Sequence, residues 1–277
     1  MAPISDAENP FSNIRIWMVL VLFCYALVAS ELFVNVLMDM EKGPWRSMAI
    51  NLCWRSLLML CLLGIARHQG VDLRRLVGPT PSRTQFLTSL WMLLPLVTLF
   101  FVGAWALYQA SSLVPTLPLW PSGSGKEDGP FDQPPRLVQL GQIISDVGYV
   151  PIFEEFVFRG IMLNRLAVRF GARKGLIASS LIFGAFHLDN RMPAAACAGL
   201  FFGLLYLQTQ SLPLCVALHM CVNGVGTMLR AAGFATIPLQ AAPILGMIAV
   251  PWFFLYVKRH WPASTCAAPY FAHAKSG

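Results

Sequence analysis

Two glutamates stand side by side at positions 154 and 155, and an arginine follows in Glu154-Glu155-Phe156-Val157-Phe158-Arg159. On a helix Glu155 and Arg159 are one turn apart, so they share a face and can pair. Glu154 is rotated about 100° from its neighbour, which leaves its carboxylate free to point elsewhere. Two adjacent acids cannot both stay ionised cheaply in a low-dielectric medium; pairing one with arginine leaves the other for acid–base work. Downstream, His187 closes Phe183-Gly184-Ala185-Phe186-His187, and His219 and Asn223 lie one turn apart. A carboxylate and an imidazole can position a water, while a second imidazole and an amide can donate to a developing oxyanion. These residue types suit hydrolysis of a peptide bond. Cys221 lies between His219 and Asn223 but on another helix face, which argues against a thiol nucleophile.

The elements that must hold these groups are apolar. Of 277 residues, 56% are hydrophobic and 12% charged, and the mean hydropathy is +0.61. A soluble domain carries roughly twice that share of charge. The composition excludes a disordered chain and an ordinary soluble enzyme. It predicts an all-α, multi-pass transmembrane bundle of about eight helices, some short or broken. The net charge of +7 does not imply nucleic acid, because the basic residues sit in loops between apolar runs. Six of the seven cysteines fall inside those runs, with no zinc or disulfide spacing.

The predicted spans are Ile16–Met38, Ser47–Ile65, Phe86–Tyr108, Pro151–Phe170, Gly175–Leu188, Pro193–Leu207, Leu212–Leu229 and Thr236–Val257. Phe86–Tyr108 is free of charge and bent at most by Pro95. Those in the second half are shorter and carry polar groups, as a site inside a bilayer requires. Leu137–Gly148 reads as an interfacial or re-entrant helix leading to Pro151. Residues 109–136 read as an extracytoplasmic loop, 137–230 as the catalytic core, and 1–277 as a single membrane domain. The first span is expected to be retained, because Met1–Ile14 carries Asp6 and Glu8 but no Lys or Arg.

Loop charge sets the orientation. Arg15, Arg67, Arg74, Arg75, Arg83, Arg165, Arg169, Arg173, Lys174, Lys258, Arg259 and Lys275 fall on one side. Lys42, Arg46, Lys126, Arg136, Arg191 and Arg230 fall on the other. The excess predicts cytoplasmic termini in a cell membrane. Arg55 and Arg159 lie within spans. Arg55 is expected to form a structural ion pair with Glu31 on the preceding span, and Asp146 is given no role.

Depth brings the polar groups together. At 1.5 Å per residue, His219 lies about 12 Å, Asn223 and His187 about 18 Å and Glu154 about 21 Å from the cytoplasmic helix ends. All fall in the central slab. Gly199 and Gly203, in a GxxxG frame, offer a close helix approach.

In this order, Glu154-Glu155…Arg159, Phe183…His187 and His219…Asn223 resemble the CAAX protease and bacteriocin-processing family, which includes the type II CAAX prenyl proteases. The resemblance spans Pro151 to Arg230. It implies an intramembrane glutamic endopeptidase with no required metal or other cofactor. Glu154 would be the general base, His187 would orient the attacking water, and His219 and Asn223 would stabilise the oxyanion. Glu155 and Arg159 would hold the first helix and tune Glu154. The implied partners are the lipid bilayer and a peptide or protein with a membrane-associated, possibly lipidated, terminus.

The residues alone leave other readings open. Glu154, His187 and His219 could form a His₂Glu zinc shell with Glu155 as base. Intramembrane Glu and His also serve proton-coupled carriers, and a peptide-binding immunity protein needs no turnover.

Overall fold

The structure is a computed structural model; it describes residues 10–11, 13–38, 43–99, 102–103, 135–187, 192–231 and 241–272. A chain this apolar must satisfy its backbone polar groups internally, and helices do so within each segment. Among the described residues every regular element is helical. In chain order these are α1 (Ile16–Leu32), α2 (Pro44–His68), α3 (Leu73–Val77), α4 (Arg83–Leu90), α5 (93–99), α6 (Arg136–Ile144), α7 (Val150–Glu155), α8 (Asn164–Phe170), α9 (Ala172–Ala185), α10 (Met192–Thr209), α11 (Leu212–Ala231), α12 (Ala241–His260) and α13 (Pro269–Ala272). Three wider π-helical stretches, Phe33–Leu37, Ser145–Tyr149 and Phe156–Leu163, are interposed.

Among the described residues four helices, Ile16–Leu37, Pro44–His68, Met192–Thr209 and Leu212–Leu229, are long and apolar enough to cross a membrane. Large apolar side chains point outward on α1 and also on α12. Tyr25 on α1 is 61% exposed, and Met247 and Phe254 on α12 are 69% and 68% exposed. Continuous outward apolar rows of this kind belong against lipid. The protein is an all-α membrane bundle.

The core lies in the second half. Leu176, Phe201, Leu204, Tyr206, Leu214, Cys215 and Leu218 are fully buried. Gly171, at φ +82°, turns the chain from α8 into α9, a left-handed backbone that glycine adopts at no steric cost. Four residues on, a Cβ at Gly175 would lie 2.5 Å from the Ala167 nitrogen, so α8 and α9 touch backbone to backbone. The GxxxG frame works between α10 and α9: Gly199 faces the Ser180 backbone and Gly203 faces Leu176.

One end of the bundle gathers the larger basic group. Arg165 Nε donates to the Ile14 carbonyl at 2.7 Å, Arg173 Nε to Pro262 at 2.8 Å and the Tyr206 hydroxyl to Leu76 at 2.6 Å. The Ser211 hydroxyl donates to Pro79 at 2.7 Å, and the Phe11 and Tyr270 rings meet at 5.1 Å. The start of α1, the ends of α2, α8 and α12, and α3 therefore share one face. This is the grouping that loop charge predicts. Lys42, Lys126, Arg191, Lys275, the Arg230 side chain and loop residues 109–134 lie outside the described residues.

Three expectations are corrected. Residues 86–99 are not one helix: the chain breaks at Trp91–Met92, where Met92 N–H bonds back to Ser89. Pro95 is the cause, because it lacks the N–H owed to residue 91 and its ring crowds that carbonyl. Leu137–Gly148 is not a separate re-entrant piece; residues 136–170 are helical without a break. Pro151 sits at the start of α7, where a missing N–H is tolerated once its acceptor is otherwise satisfied. Glu31 does not pair with Arg55. It pairs with Arg46 at 2.9 Å, and Asn35 bonds to both. In the antiparallel α1–α2 hairpin, the register that sets 31 beside 46 leaves 55 about 13 Å further along.

Gly175→Ala should destabilise the protein by about 1–3 kcal/mol through overpacking. Gly64→Ala, with nothing within 4 Å of its Cβ, should leave the melting temperature in detergent unchanged or raised. Equal melting temperatures for the two variants would contradict the close α8–α9 contact.

Candidate functional site

The continuous helical run through α6, α7 and α8 carries the glutamates, α9 ends just before His187, and α11 carries His219 and Asn223. Glu155 and Arg159 pair as their spacing predicts, with Nη1 3.0 Å from Oε1 and both side chains buried. The contact is one of charge rather than a directed hydrogen bond, since Arg159 Nη1 has no hydrogen-bond partner. The guanidinium also lies 4.4 Å over the Phe183 ring and 5.4 Å from that of Phe202, and Nη2 reaches the Ala198 carbonyl at 3.4 Å. Aromatic faces supply negative electrostatic potential where no water can.

His219 joins the two glutamates. Its Nδ1 is 2.7 Å from Glu155 Oε1, and its Nε2 is 3.7 Å from Glu154 Oε2. The first is a hydrogen bond; the second is a charge contact too long for one. The ring lies nearly parallel to Phe202, with centroids 5.0 Å apart. Such stacking leaves the imidazole little freedom to rotate, so its two nitrogens stay aimed at two different carboxylates. Glu154, 12% exposed, is the more accessible acid; Glu155 is completely buried.

Asn223 does something its spacing did not suggest. Its Nδ2 donates to the Asp146 carbonyl at 2.8 Å. In the π-helical stretch Val150 N–H bonds to Ser145 O, so the next donor in that series would be residue 151, to Asp146. Residue 151 is proline and has no N–H. The Asn223 amide fills the vacancy, ties α11 to the helix bearing Glu154, and keeps a second N–H available. A similar substitution holds the other π-helical stretch. Asn164 Nδ2 donates to the carbonyls of Arg159 and Gly160 at 3.2 and 2.8 Å, and its Oδ1 accepts from Tyr270 N–H at 2.9 Å. π-Helical turns are costly and gather at functional sites.

His187 stands apart from the glutamates. Its Nδ1 contacts the Phe183 carbonyl at 3.0 Å, and its ring lies 4.9 Å from the Phe183 ring. Phe183 in turn touches His219 at 6.4 Å. Among the described residues no hydrogen bond or ion pair joins His187 to Glu154. No three His, Cys, Asp or Glu side chains there converge as a metal-holding group, so Glu154, His187 and His219 do not form a zinc shell in this conformation.

Arg55, assigned by sequence to Glu31, stands instead beside the site. The Trp54 ring meets Phe153 at 5.6 Å and Ser56 bonds to Tyr149 at 2.9 Å, which seats this part of α2 against the glutamate helix. The Arg55 guanidinium bonds to Asn51 and lies 4.4 Å over Trp54. Only the fold could reveal this neighbourhood, because residues 55 and 154 are far apart in sequence and on helices whose mutual register no local pattern encodes.

Removing Arg159 should strand the Glu155 carboxylate without its cation. Arg159→Ala is expected to cost about 3–5 kcal/mol, read as loss of the monodisperse peak in size-exclusion chromatography after mild heating. Glu154→Gln, at the accessible position, should keep that peak. A stable Arg159→Ala protein would show that the pair does not organise the site.

No curated protein and no solved structure matches the chain. Residues 136–225 match the family model of the type II CAAX prenyl endopeptidase Rce1-like proteins. That segment runs from α6 into α11 and includes every residue of the three motifs. The buried Glu-Arg-His arrangement within an all-helical membrane bundle thus lies inside the segment, about a third of the chain, that is similar to the type II CAAX prenyl endopeptidase Rce1-like proteins.

Proposed function

We propose that this protein is an intramembrane glutamic endopeptidase, with 137–230 as its catalytic core within a single membrane domain. The observation that carries the proposal is the imidazole of His219 fixed between a fully buried carboxylate and a more accessible one. Glu154 is the general base that takes a proton from the attacking water. Glu155 accepts from His219 Nδ1–H and so sets the orientation of the ring, as a carboxylate behind a catalytic histidine does. His219 enters the reaction with both ring nitrogens protonated and keeps both protons while Nε2–H donates to the oxyanion; the second N–H of Asn223 is the other donor. Glu154 passes the proton taken from water to the leaving amine nitrogen as the C–N bond breaks. Arg159 balances the charge of Glu155. His187, one ring away across Phe183, approaches the water when substrate is bound, since catalytic contacts often tighten only in the complex.

The substrate is a membrane-associated protein or peptide whose scissile bond reaches the depth of Glu154. We assign the basic end, with the described chain ends, to the cytoplasm of a cell membrane. The test uses purified protein in lipid vesicles and a farnesylated peptide ending in Cys-aliphatic-aliphatic-X, with a fluorophore and quencher astride the bond. Glu154→Gln should lower turnover by about 10²–10⁴-fold, the range for loss of a general base. Equal cleavage by wild type and Glu154→Gln would refute the role of Glu154. Activity abolished by a chelator and restored by zinc would replace the mechanism with a metal-dependent one. Absence of turnover alongside peptide binding would favour a binding or carrier protein.

A further inference from the structure

Helix α2 carries one charge that the mechanism above does not use. Arg55 is the only charged residue between Arg46 and Arg67, and it lies near the middle of a helix long and apolar enough to cross a membrane. A cation at that depth is costly and needs compensation. Its compensation is incomplete. Nη1 donates to the Asn51 carbonyl at 3.2 Å and to Asn51 Oδ1 at 3.1 Å, both neutral acceptors on the same helix. The Trp54 ring covers one face of the guanidinium at 4.4 Å. Nε is buried and has no hydrogen-bond partner. Among the described residues no carboxylate forms an ion pair with Arg55, Asp146 and Glu154 included. The edge formed by Nε–H and Nη2–H is therefore left over. That edge can meet a carboxylate through two parallel hydrogen bonds.

Its place relative to the accessible glutamate selects the carboxylate. The residues on either side of Arg55 seat it on the glutamate helix: Trp54 meets Phe153 and Ser56 bonds to Tyr149. The Arg55 backbone is thus level with residues 149–153, and its side chain turns back toward Asn51. The starts of α2 and α6 lie together, since a Cβ at Gly141 would meet Met48, so this turn points away from Glu154. The guanidinium therefore sits about one to two helical turns, roughly 5–10 Å, along the bundle from Glu154. An extended peptide advances about 3.3 Å per residue, so about two or three residues bridge that gap. A substrate that ends two or three residues beyond the bond at Glu154 brings its terminal carboxylate to Arg55. Resting on the endopeptidase reading above, we propose that Arg55 is a specificity residue that holds the substrate's C-terminal carboxylate. It thereby fixes which bond, counted from the end of the chain, reaches Glu154. A chain that continued past Arg55 would offer the guanidinium a neutral amide instead.

The test compares two farnesylated peptides ending in Cys-aliphatic-aliphatic-X, one with a free C-terminal carboxylate and one with a carboxamide. Binding to full-length Glu154→Gln protein in lipid vesicles is read by fluorescence polarisation, and cleavage by the unsubstituted protein as kcat/KM. The acid should bind about 10–100-fold more tightly than the amide, the worth of hydrogen bonds to a charged group. Adding Arg55→Gln should erase that preference by weakening the acid while leaving the amide as it was, and Arg55→Lys should restore part of it. An arginine with only a structural role would change both peptides alike. Equal binding of acid and amide while Arg55 is present, equal loss of both in Arg55→Gln, or a preference that survives Arg55→Gln would overturn the proposal. Preference for the acid without turnover of either peptide would keep the role of Arg55 and remove the endopeptidase reading. Turnover of both peptides with equal binding would do the reverse.

Discussion

A carboxylate removed from water must be met by cations or donors, and Glu155 is met by two groups at once. Arg159 arrives from one turn along its own helix and His219 from α11, and one oxygen, Oε1, serves both. The second oxygen is buried without a partner. Burying such a group is costly, so the packing around it is fully committed: Phe183 and Phe202 cover the guanidinium, and Phe202 also backs the imidazole. Several helices thereby converge on one ion pair. The neighbouring Glu154 inherits a fixed imidazole opposite it without having to bear the structural charge itself.

The helix that presents these groups is wider than an α-helix on both sides of them. π-Helical turns leave main-chain carbonyls without their usual donors, and the two asparagines Asn223 and Asn164 supply amide hydrogens at those places. One N–H of Asn223 replaces the donor that Pro151 lacks, and the other is left for the oxyanion role proposed above. This explains how a proline can stand one turn before the glutamates in an unbroken helical run, and why an asparagine on a different helix is needed to keep it there.

Charge divides the bundle. At one end Arg165 and Arg173 tie helix ends to neighbouring segments through the main-chain carbonyls of Ile14 and Pro262. At the other end Glu31, Asn35 and Arg46 close the α1–α2 hairpin. Between them the hydrocarbon-facing surfaces of α1 and α12 carry no charge until their ends. Arg55 is the exception, held at the glutamate helix by its neighbours Trp54 and Ser56.

Much of this was open to a reading of residues alone. Composition set the membrane class, because a helical chain this apolar has few other solvents. Local spacing set the Glu155–Arg159 pair, because one helical turn is a short-range rule that tolerates even a π-helical turn. The convergence of Glu154 and His219 followed from depth, since antiparallel spans of similar length bring equal depths together. Other features depended on which helices touch and in which register. The partner of Glu31 was settled by the α1–α2 hairpin, the place of Arg55 by packing of α2 on the glutamate helix, and the separation of His187 by the Phe183 ring. The continuity of 136–170 hung on a single amide from α11. Residue spacing determines which groups share a helix face and a depth; only tertiary packing decides which faces meet, because lateral order and rotation among equally apolar helices leave no periodic trace in the chain.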